Sequence, residues 1–188
     1  MRHGQTDWNL ERRIQGSTDV PLNGTGLSQA VHTSLALRGA QIDLVASSHL
    51  QRAEVTASTI NGHHGVERVI DARLTERSFA EVEGLKVEEV KSMYPSFDDI
   101  AGVESWADVT SRMLAALIDL ATAAAGGRVL VVTHGSAIRG LLSAVQHIEP
   151  REVQSLWNCS ISELRFADGI WSLLSFNDNT HLPESLRS

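Results

Sequence analysis

Val129-Leu130-Val131-Val132-Thr133-His134-Gly135 is the stretch on which the fold turns. Four aliphatic residues in succession, with no polar alternation, read as a strand covered on both faces, because a strand with one wet face would alternate. Such strands belong to parallel sheets connected by helices. Residues 137–145 read as the helix that packs back over this one. On the other side, Ser105 can cap a long helix reaching about residue 125, since Leu114, Leu117, Ile118 and Ala121 share a face and Gly126-Gly127 ends it. Further out, residues 42–46 repeat the strand signature and end at Ser47-Ser48. A helix over residues 50–60 follows, then a weak strand over 66–70. Residues 24–39 read as a helix, with Leu27, Ala30, Val31, Leu35 and Leu37 roughly on one face and Gly39 as a stop. Residues 160–166 and 170–174 alternate around Ala167-Asp168-Gly169, the signature of a hairpin. Strands alternating with helices predict an α/β fold, a three-layer αβα sandwich with a mostly parallel central sheet. Residues 71–102, broken by Gly84 and Pro95, read as an excursion with a short helix over 86–93. The whole of 1–188 reads as one domain, without repeats or linkers.

The chain has 188 residues and 20.4 kDa, enough for one hydrophobic core without disulfide or metal staples. Sixteen basic against 23 acidic residues give a net charge of −7, which disfavours attachment to nucleic acid or an anionic membrane by bulk charge. At first sight it also disfavours an anionic substrate. Cys159 is the single cysteine, so an intrachain disulfide and a multi-cysteine metal site are excluded. No apolar stretch is long enough to span a bilayer and no signal peptide opens the sequence, so a soluble, cytoplasmic protein is expected. A homodimer is left open.

Polar groups gather where a parallel sheet presents ligands, at the carboxyl ends of strands. They are Ser47-Ser48 with Arg52 one helical turn on, His134-Gly135, and Arg2-His3-Gly4. Singly, a histidine after a strand is more often structural than catalytic, and an arginine near a helix start is usually a solvated charge. Two imidazoles and two guanidiniums converging suit a phosphoryl group. Arginine forks match its oxygens, and a neutral imidazole can attack phosphorus while a second stabilises the transition state.

The blocks Arg2-His3-Gly4-Gln5-Thr6-Asp7-Trp8-Asn9, Arg13-Ile14-Gln15-Gly16, Ser47-Ser48 with Arg52-Ala53 and Thr56-Ala57, Leu74 with Glu76 and Glu83-Gly84, Glu104-Ser105 with Arg112, Val131-Val132-Thr133-His134-Gly135 and Asn158-Cys159-Ser160 occur in order along essentially the whole chain. Together they resemble the histidine phosphatase superfamily, with its phosphoglycerate mutase-like fold. The resemblance implies a metal-independent phosphatase, without a cofactor, that hydrolyses a small phosphorylated metabolite through a phosphohistidine on His3. It makes Arg2, Arg52 and His134 the groups that neutralise and orient the phosphoryl oxygens, Asn9 a further phosphate ligand, and Gln15 and Gly16 part of the pocket's rim. Glu76 matches the acid that protonates the leaving alcohol and then activates water, a role that needs a carboxyl group able to hold a proton.

His49, Ala80, Val82 and Ser136 depart from the family pattern at the rim and remove no catalytic group. The family also has an apolar central strand just before Arg-His-Gly, where this sequence has only Met1. The expectation is that upstream residues completing that strand are absent from this sequence, and that otherwise the sheet has a gap beside His3.

Glu81 and Glu83 rival Glu76 for the acid role, and each is otherwise a solvated loop carboxylate. His63-His64 read as surface residues without metal partners, and His181 falls in a tail that could cover the pocket. Cys159 reads as a small buried apolar residue; Trp106 and Trp157 read as core. A cofactor-dependent phosphoglycerate mutase is the nearest alternative function, disfavoured by the short excursion, and a non-catalytic phosphate-binding module is the more distant one.

Overall fold

The computed structural model describes residues 1–187. Along the chain come α1 (Asp7–Leu10), α2 (Gly24–Leu37), β1 (Leu44–Ser47), α3 (Gln51–Asn61), β2 (Arg68–Ile70), α4 (Val87–Met93), α5 (Trp106–Ala123), β3 (Val129–Val132), α6 (Gly135–Gln146), β4 (Ile161–Ala167) and β5 (Ile170–Asp178). β1, β2 and β3 form a parallel sheet in the order β2-β1-β3, with Val45 registered against Arg68 on one side and Leu130 on the other. β1 is buried throughout, and its side chains alternate between two cores. Leu44 and Ala46 join Val109, Met113, Ala116, Leu117 and Leu120 of α5 and Ala137 and Leu141 of α6. Val45 joins Ala53, Ala57 and Ile60 of α3 from the opposite face, with Val132 and Cys159. Each fully buried Leu, Ile or Met here contributes about 1.5–3 kcal/mol of transfer free energy. Helices therefore clamp the sheet from both sides and fix its carboxyl ends, the three-layer arrangement expected.

Residues 1–3 run beside β3. The Thr133 N–H donates to the Met1 carbonyl at 2.9 Å and the His3 N–H to the Thr133 carbonyl at 3.0 Å, while the Arg2 N–H reaches the Ser160 carbonyl at 3.1 Å. This short stretch links the parallel sheet to the β4-β5 hairpin. Val129, Leu130 and Val131 are half-buried and Val132 is fully buried. In the hairpin, Asp168 and Gly169 take φ values of 52° and 77°, the paired left-handed conformation of a type I′ turn.

Two sequence expectations are corrected. The stripe Leu27, Val31 and Leu35 on α2 is 48%, 49% and 45% exposed, while Gln29, Ala30, Thr33 and Ser34 form the buried face. Polar groups occupy that face because partners satisfy them: Gln29 Oε1 accepts from the Gln5 N–H, Thr33 Oγ1 donates to the Gln29 carbonyl and Ser34 Oγ to the Thr59 carbonyl. Trp157, read as core, is 48% exposed.

The excursion over 71–102 has a core of its own, formed by Val82, Val90 and Ile100 with Ile14, and flanked by Phe79, Val87, Tyr94 and Phe97. Ile14 enters it through paired backbone bonds with Gly84 and Leu85. The loop after α1 is thereby fastened to the excursion. No helix among the described residues is long and apolar enough to cross a membrane.

Candidate active site

His3 sits at the end of the strand-like residues 1–3, 2% exposed, with its ring centroid 5.1 Å from that of His134. His3 Nδ1 lies 2.6 Å from the Gly4 carbonyl oxygen, which can only accept, so Nδ1 carries the proton and Nε2 keeps its lone pair. Burial, then the charges of Arg52 and Arg2, hold the His3 pKa well below its ordinary value against the opposing Gly4 bond. A neutral ring with a free Nε2 is the nucleophilic form of histidine. The Gly4 N–H is held by Thr56 Oγ1 at 3.2 Å and the His3 carbonyl by Asn158 Nδ2 at 3.1 Å, so the backbone around the ring is anchored on both sides.

His134 caps the start of α6. Its Nδ1 accepts from Arg52 Nε–H at 3.3 Å, so its Nε2–H faces Ser48 Oγ at 2.7 Å. Burial first, and then Arg52, His3, Arg2 and Arg112, keep it neutral as well. The remaining Arg52 contacts run from Nη1 to the Thr18 carbonyl at 2.8 Å and from Nη2 to the Gly16 carbonyl at 2.7 Å. Burial lowers the Arg52 pKa to about 10, which still leaves it charged at neutral pH. Arg2 is anchored through Nη1 to the Leu156 carbonyl, while its Nε is buried without a partner. A methyl group at Gly135 would stand 3.7 Å from Arg2 Nε and 3.8 Å from Glu76 Oε2, so guanidinium and carboxylate surround one point at the start of α6.

Glu76 faces that helix terminus. Its oxygens accept from the N–H groups of Ala137 at 3.0 Å, Ser136 at 3.2 Å and Arg77 at 2.9 Å. Arg112 holds the loop beneath it, donating to the carbonyls of Arg73, Thr75 and Glu76 and pairing with Glu104 at 2.7 Å.

Glu83 is engaged otherwise. It accepts from the N–H groups of Ser17, Thr18 and Phe79 and from the Ser17 and Thr18 hydroxyls. Burial opposes its ionisation, but these bonds together outweigh it and hold the carboxyl below its ordinary pKa. Glu83 is thus built into the rim, and Glu81 is exposed. Gly16, at φ 53°, lies so close that a Cβ would collide with the Glu83 carboxylate. Gln15 is buried with Oε1 accepting from Thr6 Oγ1 at 3.0 Å. Asn9 Oδ1 accepts from the Thr6 N–H and from Asn158 Nδ2, which fixes the amide orientation and leaves Nδ2 as the donor available to a ligand.

The structure therefore brings Arg2, His3, Arg52, Glu76 and His134 together, with Asn9 behind His3 and with Gln15 and Gly16 at the rim. His181 is elsewhere: its Nε2 meets Thr33 Oγ1 at 3.0 Å, on α2 rather than over the pocket. A cavity of about 390 Å3 between β2 and α5 is lined by Asp43, Glu67, Asp71, Arg73 and Asp119. Arg73 already pairs with Asp71 and Asp119 there, and none of the converging imidazoles lines it. Among the described residues no three His, Cys, Asp or Glu side chains are grouped to hold a metal ion. Sequence reasoning offered Glu83 only as a rival acid or a solvated loop carboxylate and assigned no role to Arg112 and Asn158; all three lie in quoted blocks, but what they bind is decided by residues distant in the chain.

Comparison with known proteins bears on the family and the fold. The family model of the histidine phosphatase superfamily (branch 1) matches residues 1–179. The uncharacterized phosphatase PhoE of Bacillus subtilis is 37% identical over 185 residues, covering 97% of this chain and 94% of that protein. The structure of Bacillus stearothermophilus YhfR superposes with a TM-score of 0.89 at 27% identity, covering 96% of each chain. The phosphoserine phosphatase of Entamoeba histolytica, solved with 3-phosphoglyceric acid, superposes at 0.84 with 31% identity over 97% of this chain and 96% of that one. With the family pattern running through the whole chain and the fold matching throughout, this protein belongs to the histidine phosphatase superfamily.

Proposed function

We propose that this protein is a metal-independent phosphatase that hydrolyses small phosphomonoesters through a phosphohistidine on His3. The observation that carries the reading is the His3 tautomer: Nδ1–H is committed to the Gly4 carbonyl and Nε2 is left free, beside a buried Arg2 Nε without a partner. The His3 Nε2 lone pair attacks phosphorus, the P–O bond to the alcohol breaks, and Glu76 gives its proton to the departing oxygen. The Gly4 carbonyl stabilises the Nδ1–H of the phosphorylated ring. In the second half, Glu76 takes a proton from water, the hydroxide attacks phosphorus and the P–N bond breaks, so phosphate leaves and neutral His3 returns.

Arg2, Arg52 and Asn9 supply the charge and hydrogen bonds that the phosphoryl oxygens need, which is why no metal enters the scheme. His134 serves by holding Arg52 through Nδ1, its own N–H being held by Ser48. The net charge of −7 is no obstacle, because it describes the whole surface while the pocket is locally positive. Relatives named as phosphatases support hydrolysis, while others named as probable phosphoglycerate mutases, such as GpmB of Salmonella at 32% identity, make transfer the alternative that the test must separate. The test is a phosphate-release screen over a panel of metabolite phosphates, with His3→Ala as the blank and with chelator present. Chelator-sensitive activity would sink metal independence. Efficient exchange between 2- and 3-phosphoglycerate, primed by 2,3-bisphosphoglycerate and with little free phosphate, would establish a mutase instead.

A further inference from the structure

Residues 157–160 return to His3 from the far end of the chain. The Ser160 N–H donates to the Trp157 carbonyl at 3.2 Å, which closes a tight turn with Asn158 and Cys159 at its centre. Cys159 takes φ 54° without being glycine, a conformation that persists only where the surroundings hold it. Here the Cys159 N–H donates to the His3 carbonyl and the Arg2 N–H to the Ser160 carbonyl, both at 3.1 Å. Within the turn the Asn158 side chain is buried, 3% of the residue remaining exposed. Its Nδ2 carries two protons and both are engaged, one by the His3 carbonyl at 3.1 Å and one by Asn9 Oδ1 at 3.2 Å. Asn9 Oδ1 receives the Thr6 N–H as well, at 3.1 Å. If the Asn9 amide turned over, its NH2 would face both of these donors, so Nδ2–H is the group left for the pocket.

We propose that Asn158 is a positioning residue: its one amide nitrogen holds the backbone of His3 and, by engaging the Asn9 carbonyl oxygen, makes Asn9 a donor toward the phosphoryl oxygens. The inference rests on the phosphatase reading, in which Asn9 is a phosphate ligand. The His3 carbonyl already receives the Cys159 N–H, so Asn158 is not needed to satisfy it. The second proton, on Asn9, is the one with a consequence for the ligand. A reversed Asn9 amide would set an oxygen lone pair against a phosphoryl dianion in a site shielded from water, and Asn158 works against that arrangement.

Titration calorimetry with inorganic phosphate reads this without depending on turnover. Asn158→Asp keeps the size of the side chain and replaces both donors by acceptors, so the Asn9 amide should turn to give its N–H to the new carboxylate. Phosphate affinity should fall about ten- to a hundredfold, as for the loss of a hydrogen bond to a charged group. The fall in kcat/KM should be the same on p-nitrophenyl phosphate and on an alkyl phosphate, because the phosphoryl group is common to both. Asn9→Ala removes the donor that Asn158 orients, and in that background Asn158→Asp should cost only a few-fold more. Asn158→Leu, which removes both donors without adding a charge, should show the same non-additivity at smaller amplitude, and carries the cycle if the aspartate variant does not fold. Additive losses, as from a buried charge acting by repulsion alone, or unchanged phosphate affinity in both Asn158 variants, would overturn the positioning role; the phosphatase reading then stands if the wild-type protein hydrolyses p-nitrophenyl phosphate. Phosphate binding with the expected non-additivity but no turnover of either ester would overturn the phosphatase reading and uphold the orientation of Asn9. No phosphate binding by the wild-type protein would overturn both.

Discussion

Replacing Glu83 by glutamine removes one charge and one acceptor while keeping the size of the side chain. In the wild-type protein one carboxylate oxygen receives the N–H groups of Ser17 and Phe79, at 2.9 and 3.0 Å, and the other receives the N–H of Thr18 at 2.9 Å. Whichever way the amide turns, its NH2 faces at least one of these donors. Hydrogen bonds to a charged group are worth about 1.5–3 kcal/mol, and partial exposure reduces that, so a loss of about 1–3 kcal/mol is expected. For a chain of this size that is a fall in Tm of about 3–10 °C. The functional consequence runs through Arg52, whose Nη groups are held by the Gly16 and Thr18 carbonyls of the same loop. A looser loop should raise KM roughly tenfold, about 1.4 kcal/mol of binding, and leave the dependence of kcat on the leaving group unchanged. Thermal unfolding and steady-state kinetics on alkyl and aryl phosphates measure both. A thousandfold fall in kcat, confined to alkyl esters and without loss of Tm, would make Glu83 the proton donor and refute the positioning role.

Glu76→Gln should lower kcat on an alkyl phosphate by about 10²–10⁴ and far less on p-nitrophenyl phosphate, whose leaving group needs no proton; equal losses on both would contradict the acid role. Arg112→Met strips the carbonyls of Arg73, Thr75 and Glu76 and the Glu104 carboxylate of their shared, largely buried donor, and should cost about 3–5 kcal/mol in urea denaturation. An unchanged midpoint would contradict that structural role. His3 and His134 are held neutral in the folded state, so the unfolded chain binds protons below about pH 6.5 that the folded one refuses. Their contribution is therefore present above that pH and is lost as pH falls, about 2 kcal/mol for the pair between pH 6.5 and 5.5. The depressed carboxyl groups of Asp71 and Glu83 act in the same direction only at lower pH. Calorimetry showing a flat Tm from pH 7.5 to 5.5 would contradict the buried neutral rings.

β3 was legible from the sequence because a strand covered on both faces cannot alternate, and the sites at its end followed from the polarity of a parallel sheet. The exposed stripe of α2 misled for the converse reason. Hydrophobic spacing identifies a helix, but the face it buries depends on partners such as Gln5 and Thr59, which spacing does not reveal. Glu76 and Glu83 are one residue type in one loop, and they separate only in three dimensions. Glu83 faces Ser17 and Thr18, far away in the chain, whereas Glu76 faces the first turn of α6.

The central claim is that His3 carries the phosphoryl group. Mixing the enzyme with a phosphate-labelled phosphomonoester and quenching with alkali within milliseconds should leave label on the chain that is stable to base and lost in mild acid. Peptide mapping should place it on His3, and His3→Ala should carry none. Label of the same kind on the His3→Ala variant, or multiple turnovers by that variant at the wild-type rate, would contradict the account.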